Sequence, residues 1–323
     1  MKGAPGTARG VETPGESLAL PQVAPGAAKR APGAVTEAPA QATAEEIAAF
    51  AEHVRREGGR LYRDLPWRGT RDPYAVLVSE VMLQQTQVKR VLGRWESWLA
   101  DFPGPEALAG APVQLVLERW QGMGYNRRAL NLHKAARIVC ERYGGEVPRG
   151  KGELLSLPGV GPATAAGVRV FAFGEPDVYV ETNVRAAFIH WFFDGVREVA
   201  ERDIAALAQA ACPPDESCRA WYYALLDYGA HLKAGGANPS RRAKAYRRQS
   251  RFEGSHRQKR AFLLRCVLEG EDTAAGLAEA LNAAEREAGR DALGEEQVVS
   301  VLEELAAEGF IVCLEDGRWA PAE

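Results

Sequence analysis

The sequence predicts an all-α protein that ends in a small winged-helix-like domain. Three observations carry this prediction: apolar residues recur at helical spacing over most of the chain, short Gly/Pro breaks separate these segments, and the last residues follow a hairpin pattern. The 323 residues are 46% apolar and 26% charged, a globular composition. It excludes a collagen, a wholly disordered chain and a disulfide-rich miniprotein.

The elements follow in chain order. Residues 1–43 are rich in Ala, Pro and Gly and are predicted to be disordered, because they bury too little apolar surface to offset the entropy of ordering. Order begins at Thr43, where Thr43-Ala44-Glu45-Glu46 has capping-box spacing. Residues 44–236 are assigned to one all-helical domain, in which the apolar positions from Val76 to Trp95 form one helical segment.

Charge divides the remainder of the chain. Residues 241–260 contain nine Lys and Arg against one acid, so residues 237–260 are predicted to be a basic linker. Residues 261–323 carry a net charge of −11, within a chain of net charge −3. Their helical pattern stops at Gly309, and two apolar strands follow around an Asp-Gly turn. This winged-helix-like domain is too acidic to grip phosphates and is expected to dock a protein partner or to pack.

Three motifs carry residues suited to chemistry. In the first, Glu80, Leu83, Gln84 and Gln87 are spaced to share one face of a helix. A carboxyl group among apolar neighbours keeps its proton to higher pH than a free Glu. A single Glu on a helix is otherwise most often a surface residue.

The second motif, residues 157–161, reads as a Gly-rich hairpin between two helices. Glycines let the backbone approach a ligand, and the amides that open the following helix can bind a phosphate. The third motif, residues 179–185, brings Glu181 and Asn183 about 20 residues further on. Both residue types also favour the first turn of a helix, so a capping role is the alternative interpretation.

In this order, the motifs resemble those of the helix-hairpin-helix-GPD DNA glycosylases related to endonuclease III, and within them are most similar to the A/G-specific adenine glycosylases. The matching strings run from Leu65-Pro66-Trp67-Arg68 through Ser79-Glu80-Val81-Met82-Leu83-Gln84-Gln85-Thr86 and Leu157-Pro158-Gly159-Val160-Gly161 to Asp227-Tyr228-Gly229-Ala230. They cover over half of the chain.

The resemblance implies a bilobal fold whose cleft receives a nucleotide flipped out of the duplex. Glu80 would be the general acid, and Glu181, with Asn183 beside it, would stabilise the developing cation. Gln84 and Gln85 would be the wedge and the contacts to the opposite base. The hairpin and the helix that follows it would anchor a phosphate through Leu157, Gly159, Val160, Gly161 and Thr164.

Four departures from the family pattern shape the expectation. Position 181 holds Glu where Asp is usual, and position 163 holds Ala where bifunctional relatives carry a Schiff-base Lys, which predicts a monofunctional enzyme. After Ala230 there is no cysteine until Cys266, so no iron–sulfur cluster and no other cofactor or metal is expected. The basic segment that replaces the cluster loop is expected to bind phosphates through Arg241, Arg242, Lys244, Arg247 and Arg248. The C-terminal domain is too short to resemble the usual 8-oxoguanine-reading domain.

The leading hypothesis is therefore a monofunctional DNA glycosylase of base excision repair that releases adenine opposite guanine or 8-oxoguanine. The alternatives are a glycosylase for uracil, for thymine in a T·G pair or for a deaminated purine, and a catalytically retired module that binds lesions. The expected partner is double-stranded DNA with a mispaired or damaged base. We expect a monomer in the cytoplasm, close to the nucleoid, with no secretory signal, no membrane contact and structural thiols at its five cysteines.

Overall fold

The computed structural model describes residues 42–236 and 238–322. The predicted disordered tail lies outside the described residues except for its last two positions. Fifteen α-helices lie in the described part of the chain: α1 Ala44–Arg60, α2 Pro73–Leu83, α3 Val88–Val91, α4 Arg94–Asp101, α5 Pro105–Ala109, α6 Val113–Trp120, α7 Arg127–Tyr143, α8 Lys151–Ser156, α9 Pro162–Phe171, α10 Thr182–Phe192, α11 Glu201–Ala211, α12 Cys218–Ala234, α13 His256–Leu268, α14 Ala274–Glu287 and α15 Glu295–Ala307. Two strands follow, β1 Ile311–Cys313 and β2 Trp319–Pro321.

The helices before residue 236 form two lobes, as expected. Helices α1, α10, α11 and α12 pack on one another around Phe50, whose ring lies 4.9 Å from that of Phe188. Helices α2 and α4 to α9 form the second lobe, with α7 against α5 and α6, and α9 against α2 and α8. Trp98 and Trp120 meet edge to face in its core, with ring centroids 5.3 Å apart. Helix α9 also contacts α12, which joins the lobes.

The first helix starts where the sequence predicts. The Thr43 side chain accepts a hydrogen bond from the Glu46 backbone N–H, and the Glu46 carboxylate accepts one from the Thr43 N–H at 2.8 Å. This is a complete capping box.

The single helical segment predicted between Val76 and Trp95 is wrong, because the chain forms three short helices there. Helix α2 ends at Leu83, and Gln85 adopts a left-handed backbone with φ of 53°. The buried Arg128 of α7 explains the break: its guanidinium donates to the carbonyls of Val81, Met82 and Gln84 at 2.7–2.9 Å. A distant side chain thus satisfies carbonyls that a longer helix would have used.

The C-terminal domain consists of α13, α14 and α15 followed by the predicted antiparallel hairpin. Val312 pairs with Ala320, and Gly317 takes a left-handed conformation in the turn. Helix α13 begins at His256, inside the segment predicted as a linker. Ion pairs such as Arg127 with Glu308, at 2.8 Å, connect this domain to the second lobe. Within the described residues, no helix is both long and apolar enough to cross a bilayer.

Candidate active site

A cavity of about 540 Å³ brings α2, α9, the start of α10 and one face of α12 together. Both predicted carboxylates, Glu80 and Glu181, line this one cavity. The predicted residues Gln84, Gln85, Thr164 and Asn183 line it as well. Its apolar and aromatic wall is built from Leu65, Trp67, Val76, Leu83, Val88, Ala163, Phe171, Tyr179, Tyr223, Leu226 and Ala230.

Glu80 lies in the last half of α2, half-buried between the lobes. Burial and the nearby Glu181 carboxylate raise the pKa of Glu80 to about 8, and hydrogen bonding by the Tyr179 hydroxyl opposes this rise. At neutral pH the Glu80 carboxyl group therefore carries a proton that it can donate.

The position of the Glu80 carboxyl group depends on a glycine in the facing helix. A Cβ at Gly167 of α9 would lie 2.3 Å from Glu80 Oε2 and 3.0 Å from a ring carbon of Tyr179. No side chain fits between them, so Gly167 is required for the close approach of the carboxyl group.

Glu181 has a second role as the N-cap of α10. Its Oε1 accepts hydrogen bonds from the backbone N–H groups of Asn183 at 2.5 Å and Val184 at 2.9 Å. Its Oε2 is 3.4 Å from Nδ2 of the Asn183 side chain. The helix-start interpretation of the sequence is thus correct, and it is compatible with a site role because the capping residue faces the cavity.

The electrostatic surroundings of Glu181 differ from those of Glu80. Burial raises the pKa of Glu181, whereas the two backbone hydrogen bonds and the charges of Lys233 and Arg185 act in the opposite direction. The groups that favour the charged form are thus concentrated on Glu181.

The predicted helix-hairpin-helix is present as α8, residues 157–161 and α9. The side chains of Leu157 and Val160 are buried and anchor the hairpin, so only their backbone can face a ligand. Gly159 has a φ of 77° and packs against Asn131. Gly161 is the N-cap of α9; because Pro162 at the first position has no N–H, the donors that this helix start offers to a phosphate are the backbone amides of Ala163 and Thr164.

The two glutamines after α2 differ in their surroundings. Gln84 Nε2 donates to the Thr164 hydroxyl at 3.0 Å and to the Gly159 carbonyl at 3.3 Å, which ties the end of α2 to the hairpin. Thr164 itself is buried. Gln85 is exposed on its left-handed backbone at the cavity mouth.

The prediction that Gln87 shares one helix face with Glu80 is wrong. Gln87 lies beyond the end of α2 and is the N-cap of the short helix α3. It still lines the cavity, because the turn that Arg128 holds brings the chain back.

Sequence reasoning missed a buried charge cluster at one end of the cavity. Asp227 of α12 is 2% exposed and accepts hydrogen bonds from Arg68 at 2.7 and 2.8 Å and from Arg63 Nε at 2.5 Å. Both arginines line the cavity, and the Arg68 guanidinium stacks 4.5 Å from the Tyr223 ring centroid. The strings Leu65-Pro66-Trp67-Arg68 and Asp227-Tyr228-Gly229-Ala230 contained these residues, but no local spacing connects positions 159 residues apart.

The basic segment divides into exposed and engaged side chains. Arg241, Lys244, Arg247 and Arg248 are exposed. Arg242 is half-buried, and its guanidinium donates to the carbonyls of Phe193 at 2.6 Å and Ile189 at 3.1 Å. It therefore caps the end of α10, and its donors face the protein.

The residues after α12 do not fit an iron–sulfur cluster. Such a cluster needs thiolate ligands, whereas the end of α12 presents His231 and Lys233 and the next cysteine in the chain is Cys266. Cys266 is 9% exposed and packs in the core that α13 forms with α14 and α15.

The fold and cavity define a bilobal helical protein in which a helix-hairpin-helix lies beside two converging carboxyl groups. The chain matches the family model "HhH-GPD superfamily base excision DNA repair protein" over residues 78–214. It belongs to this family.

The relatives include glycosylases named for different bases. The adenine DNA glycosylase of Mycolicibacterium smegmatis is 39% identical over 172 residues, which are 52% of this chain and 58% of that protein. The thymine/uracil-DNA glycosylase of Methanothermobacter thermautotrophicus is 34% identical over 175 residues, 53% of this chain and 79% of that protein. The chain thus spans little more than half the length of the adenine-specific relative.

Among solved structures, a thermostable thymine-DNA glycosylase superimposes with a TM-score of 0.55 at 27% identity. The match covers 62% of this chain and 93% of the other.

Proposed function

We propose that the protein is a DNA glycosylase of base excision repair that hydrolyses the N-glycosidic bond of a nucleotide flipped into the cavity between its lobes. The observation that carries the proposal is the convergence of Glu80 and Glu181 on one cavity, where the hydrogen-bond donors and cations that favour a charged carboxylate are gathered on Glu181. A carboxylic acid that donates a proton, paired with a carboxylate beside the reacting sugar carbon, is the arrangement that glycoside hydrolysis uses.

Glu80 is the general acid in this mechanism. With a pKa of about 8, its carboxyl group holds a proton at neutral pH and donates it to a ring nitrogen of the departing base. The electrons of the C1′–N bond then leave with the protonated base, and the sugar becomes an oxocarbenium-like cation. Tyr179, which hydrogen-bonds the Glu80 carboxyl group, orients the donor.

Glu181 stabilises the sugar cation. Its Oε1 is held by two backbone N–H groups, so the carboxylate is fixed before the reaction begins and need not reorganise. Water then attacks C1′ and gives up a proton to the Glu80 carboxylate, which restores the general acid and leaves an abasic site. The longer Glu side chain replaces the family's Asp without loss of the cap on α10.

Ala163 supports a monofunctional enzyme. It lines the cavity at the position where bifunctional relatives carry their Schiff-base lysine, and a methyl group cannot act as an amine nucleophile. The DNA strand should therefore break only after alkali is added. No cofactor or metal is needed for the hydrolysis.

The partner that we propose is duplex DNA. The hairpin and the first amides of α9 lie beside the cavity mouth, and the exposed arginines of residues 241–248 extend a basic surface along the chain. We also propose that the acidic C-terminal domain binds a protein partner.

Adenine opposite guanine or 8-oxoguanine is the leading substrate, because the adenine DNA glycosylase of Mycolicibacterium smegmatis is 39% identical to this chain over 172 residues. Thymine or uracil opposite guanine is the second candidate, because this chain covers 79% of a relative named for thymine and uracil and 93% of a solved structure named for thymine.

A panel of duplexes tests the proposal and separates the two substrates. Wild-type protein is incubated with A·G, A·8-oxoguanine, T·G and U·G duplexes, and base release is measured before and after alkali. Glu80→Gln should bind the preferred duplex but release no base. Release from none of the four duplexes, or full activity of Glu80→Gln, would contradict the proposal, and cleavage without alkali would contradict the monofunctional assignment.

A further inference from the structure

We propose that Lys233, at the end of α12, is a positioning residue for this site: it holds the Asn183 amide so that the donor faces Glu181, and it keeps the Glu181 carboxylate ionised. The proposal deepens the proposed function and rests on it. Lys233 lies outside the strings that resemble the family, the last of which ends at Ala230.

Lys233 reaches the cavity because of its place on α12. Tyr223, Leu226, Ala230 and Lys233 follow one another at helical spacing, and all four line the cavity. The Lys233 ammonium lies at the end of this stripe, 3.1 Å from Asn183 Oδ1.

A close helix contact supports this geometry. A Cβ at Gly229 would lie 1.9 Å from the Asn183 carbonyl oxygen, so α12 touches the start of α10 directly. Lys233 is one helical turn after Gly229 and therefore faces the same part of α10. Because α12 contacts the start of α10 at Gly229, the Lys233 side chain lies along Asn183 and reaches the cavity.

The hydrogen-bonding capacities of the three groups fix the direction of the Asn183 amide. Lysine can only donate, and an ionised carboxylate can only accept. The Asn183 oxygen must therefore face Lys233, and its Nδ2, 3.4 Å from Glu181 Oε2, must face the carboxylate. Without the lysine, the amide is free to turn its oxygen toward Glu181, where it would repel the charge.

The charges around Glu181 come from four elements. Burial and the charge of Glu181 both raise the pKa of Glu80 on α2 and of Tyr179 in the segment before α10. Arg185 on α10 and Lys233 on α12 favour the ionised form. Arg185 is engaged by Glu201 through hydrogen bonds of 2.6 and 3.0 Å, which compensates its charge.

Lys233 donates to a neutral amide, which does not compensate its charge in the way that Glu201 compensates the charge of Arg185. A lysine in the last turn of a helix also stabilises the helix dipole. That role would contribute to stability but would not change how the rate depends on pH, so pH dependence separates the two roles.

The test compares Lys233→Met and Lys233→Arg with the matched control Arg265→Met, which removes an exposed cation from the C-terminal domain. Single-turnover base release is measured over pH on the preferred duplex of the panel. In Lys233→Met the acidic midpoint should move up by about one pH unit, so that release below the midpoint slows by about tenfold. Lys233→Arg should keep the wild-type pH profile. The midpoint on the basic side of the profile should not move in either variant.

A carbon-13 NMR titration of Glu181 keeps the test independent of catalysis. Its midpoint should rise in Lys233→Met and stay unchanged in Arg265→Met. If the wild type releases no base, the proposed function fails, and this titration still decides the role of Lys233.

Two results would overturn the inference. One is an unchanged Glu181 midpoint in Lys233→Met. The other is a borohydride-trapped adduct between the wild type and an abasic duplex that is absent with Lys233→Met, which would make Lys233 a nucleophile.

Discussion

Replacing Gly167 with alanine tests the geometry of the site with a single methyl group. The added Cβ would lie 2.3 Å from Glu80 Oε2, whereas ordinary van der Waals contact begins at 3.4 Å. The Glu80 carboxyl group must therefore move by about 1 Å, because Tyr179 closes the other side at 3.0 Å. A displacement of that size costs about a hundredfold in rate when it moves a catalytic group.

Stability should respond quite differently. Gly167 lies inside α9, where alanine is favoured over glycine by about 1 kcal/mol. The conflict involves the end of a side chain that can move, so the free energy of unfolding should stay within about 1 kcal/mol of wild type.

The assay pairs single-turnover base release with urea unfolding. Gly59→Ala is the control, because it adds the same methyl group to α1 with no atom within 4 Å. A Gly167→Ala variant that releases base at the wild-type rate would refute the assigned position of Glu80. A slow variant that is also strongly destabilised would show that the glycine serves packing alone.

Three further predictions concern the other charged groups. Glu181→Ala should lose most of the activity in single-turnover base release. Glu181→Asp should keep the α10 cap but draw the carboxylate back by about 1 Å, so it should lose only part of the rate. Asp227→Asn should lower the free energy of unfolding in urea by about 3–5 kcal/mol, because it leaves the buried Arg68 guanidinium without its counter-charge; a loss below 1 kcal/mol would contradict this. Arg248→Ala should weaken DNA binding and reduce the slope of log K against log salt by about 1, whereas Arg242→Ala should lower stability and leave that slope unchanged.

Features set by neighbouring residues could be predicted from the sequence. The capping box at Thr43, the Gly-rich hairpin at 157–161 and the C-terminal strands around Gly317 each depend on a few adjacent residues. The resemblance then supplied the expectation that Glu80 and Glu181 share one cavity, which local spacing alone could not supply.

Features set by distant contacts were not predictable. Helix α2 ends at Leu83 because Arg128, more than 40 residues away, takes its carbonyls. Arg242 was grouped with phosphate-binding arginines from composition, but the carbonyls at the end of α10 occupy its guanidinium. In both cases, an arginine from a distant segment of the chain donates hydrogen bonds to the carbonyls at the end of a helix.

The central claim is that a protonated Glu80 drives base release, and the pH dependence of single-turnover release tests it most directly. The Glu80 pKa of about 8 predicts that the rate falls as pH rises through 8, as the carboxyl group loses the proton that it must donate. Glu80→Gln should release no base at any pH in this range, because its side-chain amide is not an acid. A wild-type rate that stays constant or increases from pH 7 to pH 9 would contradict the account.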